Sequence, residues 1–167
     1  MRRLLAFILC VALFAGAGLA VRTWGISLVK ISGKSMNDTL MTGDIVLVTR
    51  FDYAGSAMPD RMDVVQCRFD GRTGTYVKRV IGLPGERIVY EDSMLEVNGN
   101  PVSEPYVTGF TDDFYVTLGD NEYFVMGDNR SESHDSRAAD MGSVGGEDFL
   151  GRARWILWPA GRFGPVD

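Results

Sequence analysis

The sequence predicts a mainly β protein: an antiparallel β-sheet or barrel-like domain preceded by one N-terminal transmembrane helix. Three observations lead to this prediction. Residues 4–21 are an uncharged apolar run, the chain from residue 25 onward contains one short β-type run after another, and no segment of that part has a sustained helical period. We therefore divide the 167 residues into an N-terminal stub with its span at 1–24 and one domain at 25–167.

The apolar run, LLAFILCVALFAGAGLAV, has the length of a membrane-spanning helix. Its 18 residues would rise about 27 Å as a helix, close to the roughly 30 Å hydrocarbon core of a bilayer. Arg2 and Arg3 precede it, which predicts a cytoplasmic N-terminus and an extracytoplasmic domain. A cleaved signal peptide is the alternative, because residues 18–20 (Gly-Leu-Ala) contain the small residues that a cleavage site needs. We favour a retained anchor, and both interpretations place the domain outside the cytoplasm.

The domain contains nine runs with the composition of β-strands. Glycine or Asx-containing turns separate most of them, and VNGNPV at 97–102 predicts a tight hairpin. The loops at 52–60 and 103–113 are expected to form the variable surface. The nine runs are ISLVKI, DIVLVTR, DVVQCRF, TYVKRVI, RIVYE, MLEV, FYVTL, EYFVM and ARWILW.

Charge and cysteine content exclude several classes of function. The net charge of −5 becomes −7 without Arg2 and Arg3, and no basic stripe is present, so nucleic acid is not an expected partner. Cys10 lies in the span and Cys67 in the domain, so the domain cannot be crosslinked to itself. With one histidine and no CxxC motif, the sequence predicts no metal site and implies no cofactor.

Ser35 is the candidate nucleophile. It lies at the end of an extended apolar segment, two residues after Gly33, and a short polar turn and a strand-like run at 44–48 follow it. This setting can hold a hydroxyl rigidly and still expose it. Serines at strand ends are more often structural, so the hypothesis depends on finding a base nearby.

Lys78 is the candidate base. Alternation along TYVKRVI places it on one strand face with Tyr76 and Val80, and places Arg79 on the other. Burial among apolar side chains favours a neutral amine, and lowering a pKa near 10.4 toward 7 or 8 takes roughly 4 kcal/mol, which a fully buried site can supply. From strand position alone, a solvated lysine in a salt bridge is the alternative.

The other possible bases are less suitable. Lys34 is adjacent to Ser35, so in an extended chain it should point to the opposite face. Lys30 lies about five residues back on the same segment, too far to reach easily. His134, the single histidine, lies in YFVMGDNRSESHDSR at 123–137, a buried strand that leads into a polar loop. That stretch alone is equally typical of a solvated turn rich in salt bridges.

Three motifs in order after an N-terminal span, SGKSMNDTLMTGD, YVKRVIGLPGE and GDNRSESHDSR, closely resemble the bacterial type I signal peptidases. These are membrane-bound leader peptidases with a serine/lysine dyad. The resemblance covers nearly the whole chain, including GRARWILWPAGRFG at 151–164. It implies that Ser35 is the nucleophile and Lys78 the general base, that Ser133 orients the lysine amine, and that Met36 packs beside the substrate. Charged residues that brace the site correspond to Arg79, Asp128, Asp135 and Arg137, and His134 has no implied catalytic role.

The chain departs from the family pattern at two positions. Asp38 replaces a common proline, which predicts a less rigid turn after Ser35. Gly33 lies where some members place a serine hydroxyl as an oxyanion donor, so the oxyanion hole is expected to depend mainly on the Ser35 backbone N–H. The chain also lacks the large inserted domain of longer members.

The resemblance implies a serine endopeptidase that removes signal peptides from exported preproteins, cutting after small residues of the Ala-X-Ala type. Its expected location is the bacterial cytoplasmic membrane, in contact with the lipid bilayer and near the secretion translocon. Trp155, Ile156 and Trp158 are expected at the lipid interface or in the β core, and the core is favoured for at least one tryptophan.

Three alternatives are considered, and the first of them is also a peptidase. A dedicated maturation peptidase of a conjugation or pilus-like system would share the same residues. Self-cleaving SOS-type repressors also use a Ser/Lys dyad, but they are cytosolic and carry a DNA-binding module. A membrane-tethered β-domain that only binds a partner would need no catalysis.

Overall fold

The computed structural model describes residues 25–53 and 57–167. The predicted stub and transmembrane helix at 1–24 lie outside the described residues. Within those residues, no helix is both long and apolar enough to cross a bilayer.

Twelve strands and four short 3₁₀ helices make up the described part of the chain. All nine predicted β-type runs form strands, which confirms the expectation of a mainly β domain. The strands are β1 (Ile26–Lys30), β2 (Ile45–Thr49), β3 (Val64–Cys67), β4 (Tyr76–Gly82), β5 (Arg87–Glu91), β6 (Met94–Val97), β7 (Asn100–Val102), β8 (Phe114–Thr117), β9 (Glu122–Met126), β10 (Val144–Gly145), β11 (Phe149–Trp158) and β12 (Gly164–Pro165). The 3₁₀ helices are Phe51–Tyr53, Arg130–Glu132, Gly146–Asp148 and Ala160–Arg162.

The strands form two antiparallel sheets. The large sheet has the order β1-β2-β11-β3-β4-β9-β10, and β12 pairs with β11. The small sheet has the order β7-β6-β5-β8. The predicted hairpin at 97–102 is confirmed, since Val97 pairs with Asn100 and the two turn residues, Asn98 and Gly99, have φ of 53° and 77°. Positive φ at both positions is what a type I′ turn requires.

The core consists of three apolar clusters, and β4 contacts all of them. The first cluster contains Val46, Val48 and Ile156 with three residues around the candidate nucleophile, Ile31, Met36 and Leu40. The second contains Val65, Cys67 and Val80, and the third contains Ile81, Ile88 and Met126. Tyr76 and Val80 pack in the second cluster, whereas Val77 packs against the first and Ile81 in the third. The predicted alternation along β4 is therefore confirmed.

The two tryptophans of β11 lie on its outer face. Trp155 is 41% and Trp158 is 59% exposed, while Ile156 between them is 6% exposed. The expectation that at least one of them fills the core is wrong. The pairing of β11 with β2 shifts register between Ala153 and Trp155 and again after Ile156. Such bulges interrupt strict alternation, so both indoles lie outside while the isoleucine points inward.

Candidate active site

A cavity of about 240 Å³ lies between the chain around the end of β1 and the start of β4. In the described part of the chain, β1 pairs only with β2, and β4 pairs with β9 only from Arg79 onward. Two strand edges therefore face the cavity without a partner. Ser35 and Lys78 both line it, together with the aliphatic side chains of Val29, Ile31, Met36 and Val77.

Ser35 is held by the apolar residues that follow it. Met36 and Leu40 are 2% and 0% exposed in the first cluster, and the Leu40 N–H donates to the Met36 carbonyl at 2.7 Å. The Ile31 N–H donates to the Asp44 carbonyl at 2.8 Å, which closes the loop that carries the serine. Ser35 itself stays half-buried at the cavity wall. Buried neighbours on a closed loop fix the position of a hydroxyl that remains accessible.

Polar side chains from distant elements hold the turn that contains Asp38. The Thr39 hydroxyl donates to Asp128 at 2.5 Å, and the Thr108 hydroxyl donates to the Asn37 carbonyl at 2.9 Å. Arg162 donates to the Thr39 carbonyl at 3.0 Å. These bonds supply the restraint that a proline would otherwise provide.

Lys78 is buried without a carboxylate partner. Its side chain is 3% exposed, and its Nζ donates to the Ser133 hydroxyl at 3.0 Å. Burial lowers the pKa of Lys78 below its ordinary value, although the charge of Asp135 acts in the opposite direction. Among the described residues, Lys78 forms no ion pair and has no hydrogen bond to Ser35. The lysine and the candidate nucleophile share one cavity, while the lysine nitrogen is tethered to Ser133.

Ser133 has only one way to bond to Lys78. Its hydroxyl proton is donated to the Asp135 carboxylate at 2.6 Å, so its oxygen must accept from the lysine nitrogen. A neutral amine has two protons and one lone pair. When the neutral amine donates one proton to Ser133, its lone pair is left free at the cavity that Lys78 lines.

Asp135 is itself held from several sides. Its carboxylate accepts from the Arg137 guanidinium at 2.8 Å and from the Gly127 N–H at 2.9 Å. Burial acts to raise the pKa of Asp135, but the bonds and charge of Arg137, with the Ser133 hydroxyl and the Gly127 N–H, keep it below its usual value. The carboxylate is therefore ionised, which fixes the direction of the Ser133 hydroxyl.

Arg79 and Asp128 form a separate pair on the other face of β4. The guanidinium is 2% and the carboxylate 0% exposed, and two bonds of 2.9 and 2.8 Å join them. Arg79 also donates to the Met62 carbonyl at 3.0 Å and stacks 3.9 Å from the centre of the Tyr106 ring. Because Thr39 bonds to the same carboxylate, this pair fastens the turn after Ser35 to β4.

Gly127 and Asn129 were not predicted from the sequence. The Asn129 N–H donates to the Ser35 carbonyl at 3.0 Å, and a Cβ at Gly127 would overlap both that carbonyl and the Ser133 hydroxyl. Gly127 therefore allows the backbone of Ser35 to approach the Ser133 loop. In the sequence, a glycine that directly follows a buried strand and precedes a polar loop indicates such a close approach of two backbone segments.

Gly33 and His134 differ in their relation to the cavity. Gly33 lines it, has φ of +100°, and accepts a bond of 2.6 Å from the Thr42 hydroxyl at its carbonyl. Nothing lies within 4 Å of a Cβ built there, so the backbone conformation rather than crowding favours glycine. His134 does not line the cavity; its side chain is 61% exposed and contacts Asp140.

Comparison with known proteins identifies relatives of this chain and the family that they share. The chain matches the family described as signal peptidase, peptidase S26, over residues 1–158. It is 38% identical over 143 residues to signal peptidase I S of Bacillus subtilis strain 168, covering 77% of this chain and 75% of that protein. It is 35% identical over 149 residues to signal peptidase I of Bacillus caldolyticus, covering 80% of each.

A solved structure supports the same assignment. The crystal structure of a signal peptidase I from Enterococcus faecalis V583 aligns with a TM-score of 0.51 and 33% identity, over 60% of this chain and 97% of that chain. The chain is therefore a hydrolase, a serine endopeptidase. The chain belongs to the signal peptidase family, peptidase S26.

Proposed function

We propose that this enzyme removes N-terminal signal peptides from exported preproteins, with Ser35 as nucleophile and Lys78 as general base. The observation that carries the proposal is a lysine that is 3% exposed, bonds to a hydroxyl instead of a carboxylate, and lines the same cavity as a half-buried serine. Family membership supports the substrate class, because the relatives are signal peptidases.

The chemistry follows from the neutral amine. Lys78 takes the proton of the Ser35 hydroxyl as its oxygen attacks the peptide carbonyl, and the Ser35 backbone N–H donates to the developing oxyanion. The lysine ammonium then protonates the leaving amine, and the C–N bond breaks to give an acyl-enzyme. A water molecule, deprotonated by the same amine, hydrolyses this ester and regenerates Ser35.

The shape of the cavity supports cleavage after small residues. An extended substrate that enters between the two unpaired strand edges would add a strand and bond to backbone on both sides. Alternate substrate side chains would then face the aliphatic wall of Val29, Ile31, Met36 and Val77. A cavity of about 240 Å³ leaves little room beside a bound backbone. Small residues at the first and third positions before the cut, as in Ala-X-Ala, fit this geometry.

Location at the bacterial cytoplasmic membrane is part of the proposal. Residues 1–24 would form the cytoplasmic stub and anchor, and residues 25–167 the extracytoplasmic peptidase domain. Across the large sheet, Leu28 pairs with Leu47, which pairs with Trp155. Leu28, Trp155 and the neighbouring Trp158 and Phe163 are all exposed, as expected for a face at the lipid interface. An enzyme anchored there, near the translocon, meets tethered substrates at a raised effective concentration.

Cleavage of a preprotein with an Ala-X-Ala site tests the proposal. The full chain in detergent or lipid should release the mature protein, with its new N-terminus read by mass spectrometry, and Ser35→Ala should abolish this release. Ser103→Ala is the matched control, because that serine is exposed directly after β7, does not line the cavity, and should leave cleavage intact. Cleavage by Ser35→Ala at the wild-type rate would contradict the proposal, and so would binding of the preprotein without cleavage by the wild-type chain.

A further inference from the structure

The chain that borders the cavity has two chemically different faces. Val29 and Ile31 turn toward the first apolar cluster, whereas Leu28, Lys30 and Ser32 are exposed. Lys30 and Ser32 still line the cavity, from its solvent side. One wall of the cavity is therefore apolar and closed, and the opposite side is polar and open.

A substrate strand in this cavity must also present two faces. Successive side chains of a strand point to opposite sides, so residues two apart share a face. If the first and third residues before the cut face the aliphatic wall, the second and fourth face the side of Lys30. Residues two apart on a strand are separated by about 6.6 Å. For a substrate strand that lies alongside residues 29–31, the ammonium of Lys30 would therefore lie beside at least one of these two positions.

Lys30 is the cation that faces an incoming substrate on that side. None of the residues that line the cavity is acidic, and within the described residues Lys30 takes part in no ion pair. Lys78, the other lysine at the cavity, is buried and bonded to Ser133. An unpaired ammonium attracts a carboxylate on the substrate and repels a second cation.

We propose that Lys30 is a specificity-determining residue that selects substrates by charge at the second and fourth positions before the cut, favouring acidic over basic side chains. This inference rests on the proposed function and refines its substrate class: the X of Ala-X-Ala is tolerant of size but not neutral toward charge. Lys30 is exposed, so the preference should be modest, about 1.5- to 5-fold in kcat/KM, and should weaken with added salt.

The test uses six matched preproteins with glutamate, glutamine or lysine at the second or the fourth position. For the full-chain enzyme we expect glutamate to be cleaved faster than lysine at one or both positions. Lys30→Gln should remove the preference and Lys30→Glu should reverse it. Lys34→Gln is the matched control, because Lys34 is exposed but does not line the cavity, and it should leave the glutamate-to-lysine ratio close to that of the wild type.

The outcomes separate this inference from the proposed function. Cleavage of all six preproteins with a ratio that Lys30→Gln leaves unchanged at both positions would overturn the role of Lys30 and leave the peptidase proposal standing. A shift of the ratio by Lys34→Gln as large as that by Lys30→Gln would assign the effect to general charge and also overturn it. Failure of the wild-type enzyme to cleave any of the six would overturn the proposed function and this inference together.

Discussion

Adjacent residues on β4 place a basic side chain on each of its two faces, and the two side chains have different partners. Lys78 and Arg79 are 3% and 2% exposed, so both have lost nearly all contact with water. Arg79 bonds to Asp128 through two bonds of 2.9 and 2.8 Å, whereas the one hydrogen bond of the Lys78 amine within residues 25–53 and 57–167 goes to the Ser133 hydroxyl at 3.0 Å. The carboxylate of Asp135 is placed one hydroxyl further away.

The difference shows how one strand supports both structure and chemistry. A buried cation that contacts a carboxylate directly keeps its charge, because the ion pair offsets much of its desolvation. A buried amine that contacts only a hydroxyl is less compensated, and its pKa falls. Arg79 therefore stabilises the fold through its ion pair, and Lys78 has the lowered pKa that its proposed role as a base requires.

Replacing Lys78 by methionine should produce the largest effect. Lys78→Met keeps the unbranched apolar part of the side chain and removes the amine, so we expect cleavage of an Ala-X-Ala preprotein to fall by about 10²- to 10⁴-fold or more. The free energy of unfolding at pH 7 should rise, because the cost of burying this amine, whether it keeps its proton or releases it on folding, is gone. Preprotein cleavage and denaturant unfolding of the full chain measure the two effects, with Lys34→Met as the exposed-lysine control.

The pH dependence gives the same substitution a second readout. Between the lowered folded pKa of Lys78 and its ordinary value of 10.5, the unfolded chain holds a proton that the folded chain has released. Unfolding takes up that proton, so the contribution of Lys78 to stability increases with pH in this window, and Lys78→Met should flatten the slope. In the wild type, kcat/KM should rise with pH through the same folded pKa. If Lys78→Met were less stable than the wild type and its free energy of unfolding kept the full dependence on pH, Lys78 would be charged in the folded wild-type protein.

Separating Arg79 from Asp128 should give the next largest effect. Asp128→Asn leaves a buried guanidinium without its counter-charge and weakens the bond from Thr39, so we expect a loss of about 3–5 kcal/mol in the free energy of unfolding. The double variant Arg79→Met with Asp128→Leu should lose less, because no charge remains buried. Asp140→Asn, an exposed ion-pair position, is the control. If the double variant were less stable than Asp128→Asn, Arg79 would contribute to the free energy of unfolding through contacts other than its pair with Asp128.

Local pattern was sufficient to predict nine of the twelve described strands and the two faces of β4. Val, Ile, Tyr and Phe in short alternating runs favour strands whatever lies far along the chain. The separation of Lys78 from Arg79 needs only the two-residue period of a strand. The hairpin at 97–102 follows from its Asn-Gly turn, because those residues accept positive φ. These features depend on neighbours in sequence, which a single sequence displays.

The restraints on the turn after Ser35 could not be predicted in the same way. Thr108 bonds to Asn37 across 71 residues of chain, and Arg162 reaches Thr39 across 123. No local pattern specifies such a pair, since threonine and arginine are common on any polar surface. The exposure of Trp155 likewise depends on register shifts between β11 and β2, which are visible only once the strands are paired. The sequence predicted a less rigid turn because Asp38 stands where the family commonly has a proline. The residues that bond to this turn are far away in the chain, so the sequence around Asp38 does not indicate them.

Replacing Ser133 should have the smallest effect of the three substitutions, and it tests how the amine is aimed. Ser133→Ala removes the oxygen that accepts from Lys78, so the lone pair is no longer directed at the cavity, and we expect kcat/KM to fall by about 10- to 100-fold. A hydrogen bond to the charged form favours that form, so its loss should also move the acidic limb of the pH profile to lower pH.

The adjacent residue provides the control for this effect. His134 is exposed and does not line the cavity, so His134→Ala should keep both the rate and the limb of the wild type. If Ser133→Ala reduced cleavage but left the acidic limb of the pH profile unchanged, Ser133 would only support the structure of the loop at 128–137. A shifted limb identifies it as the group that sets the protonation and direction of the Lys78 amine, the one property that distinguishes this lysine from the arginine beside it.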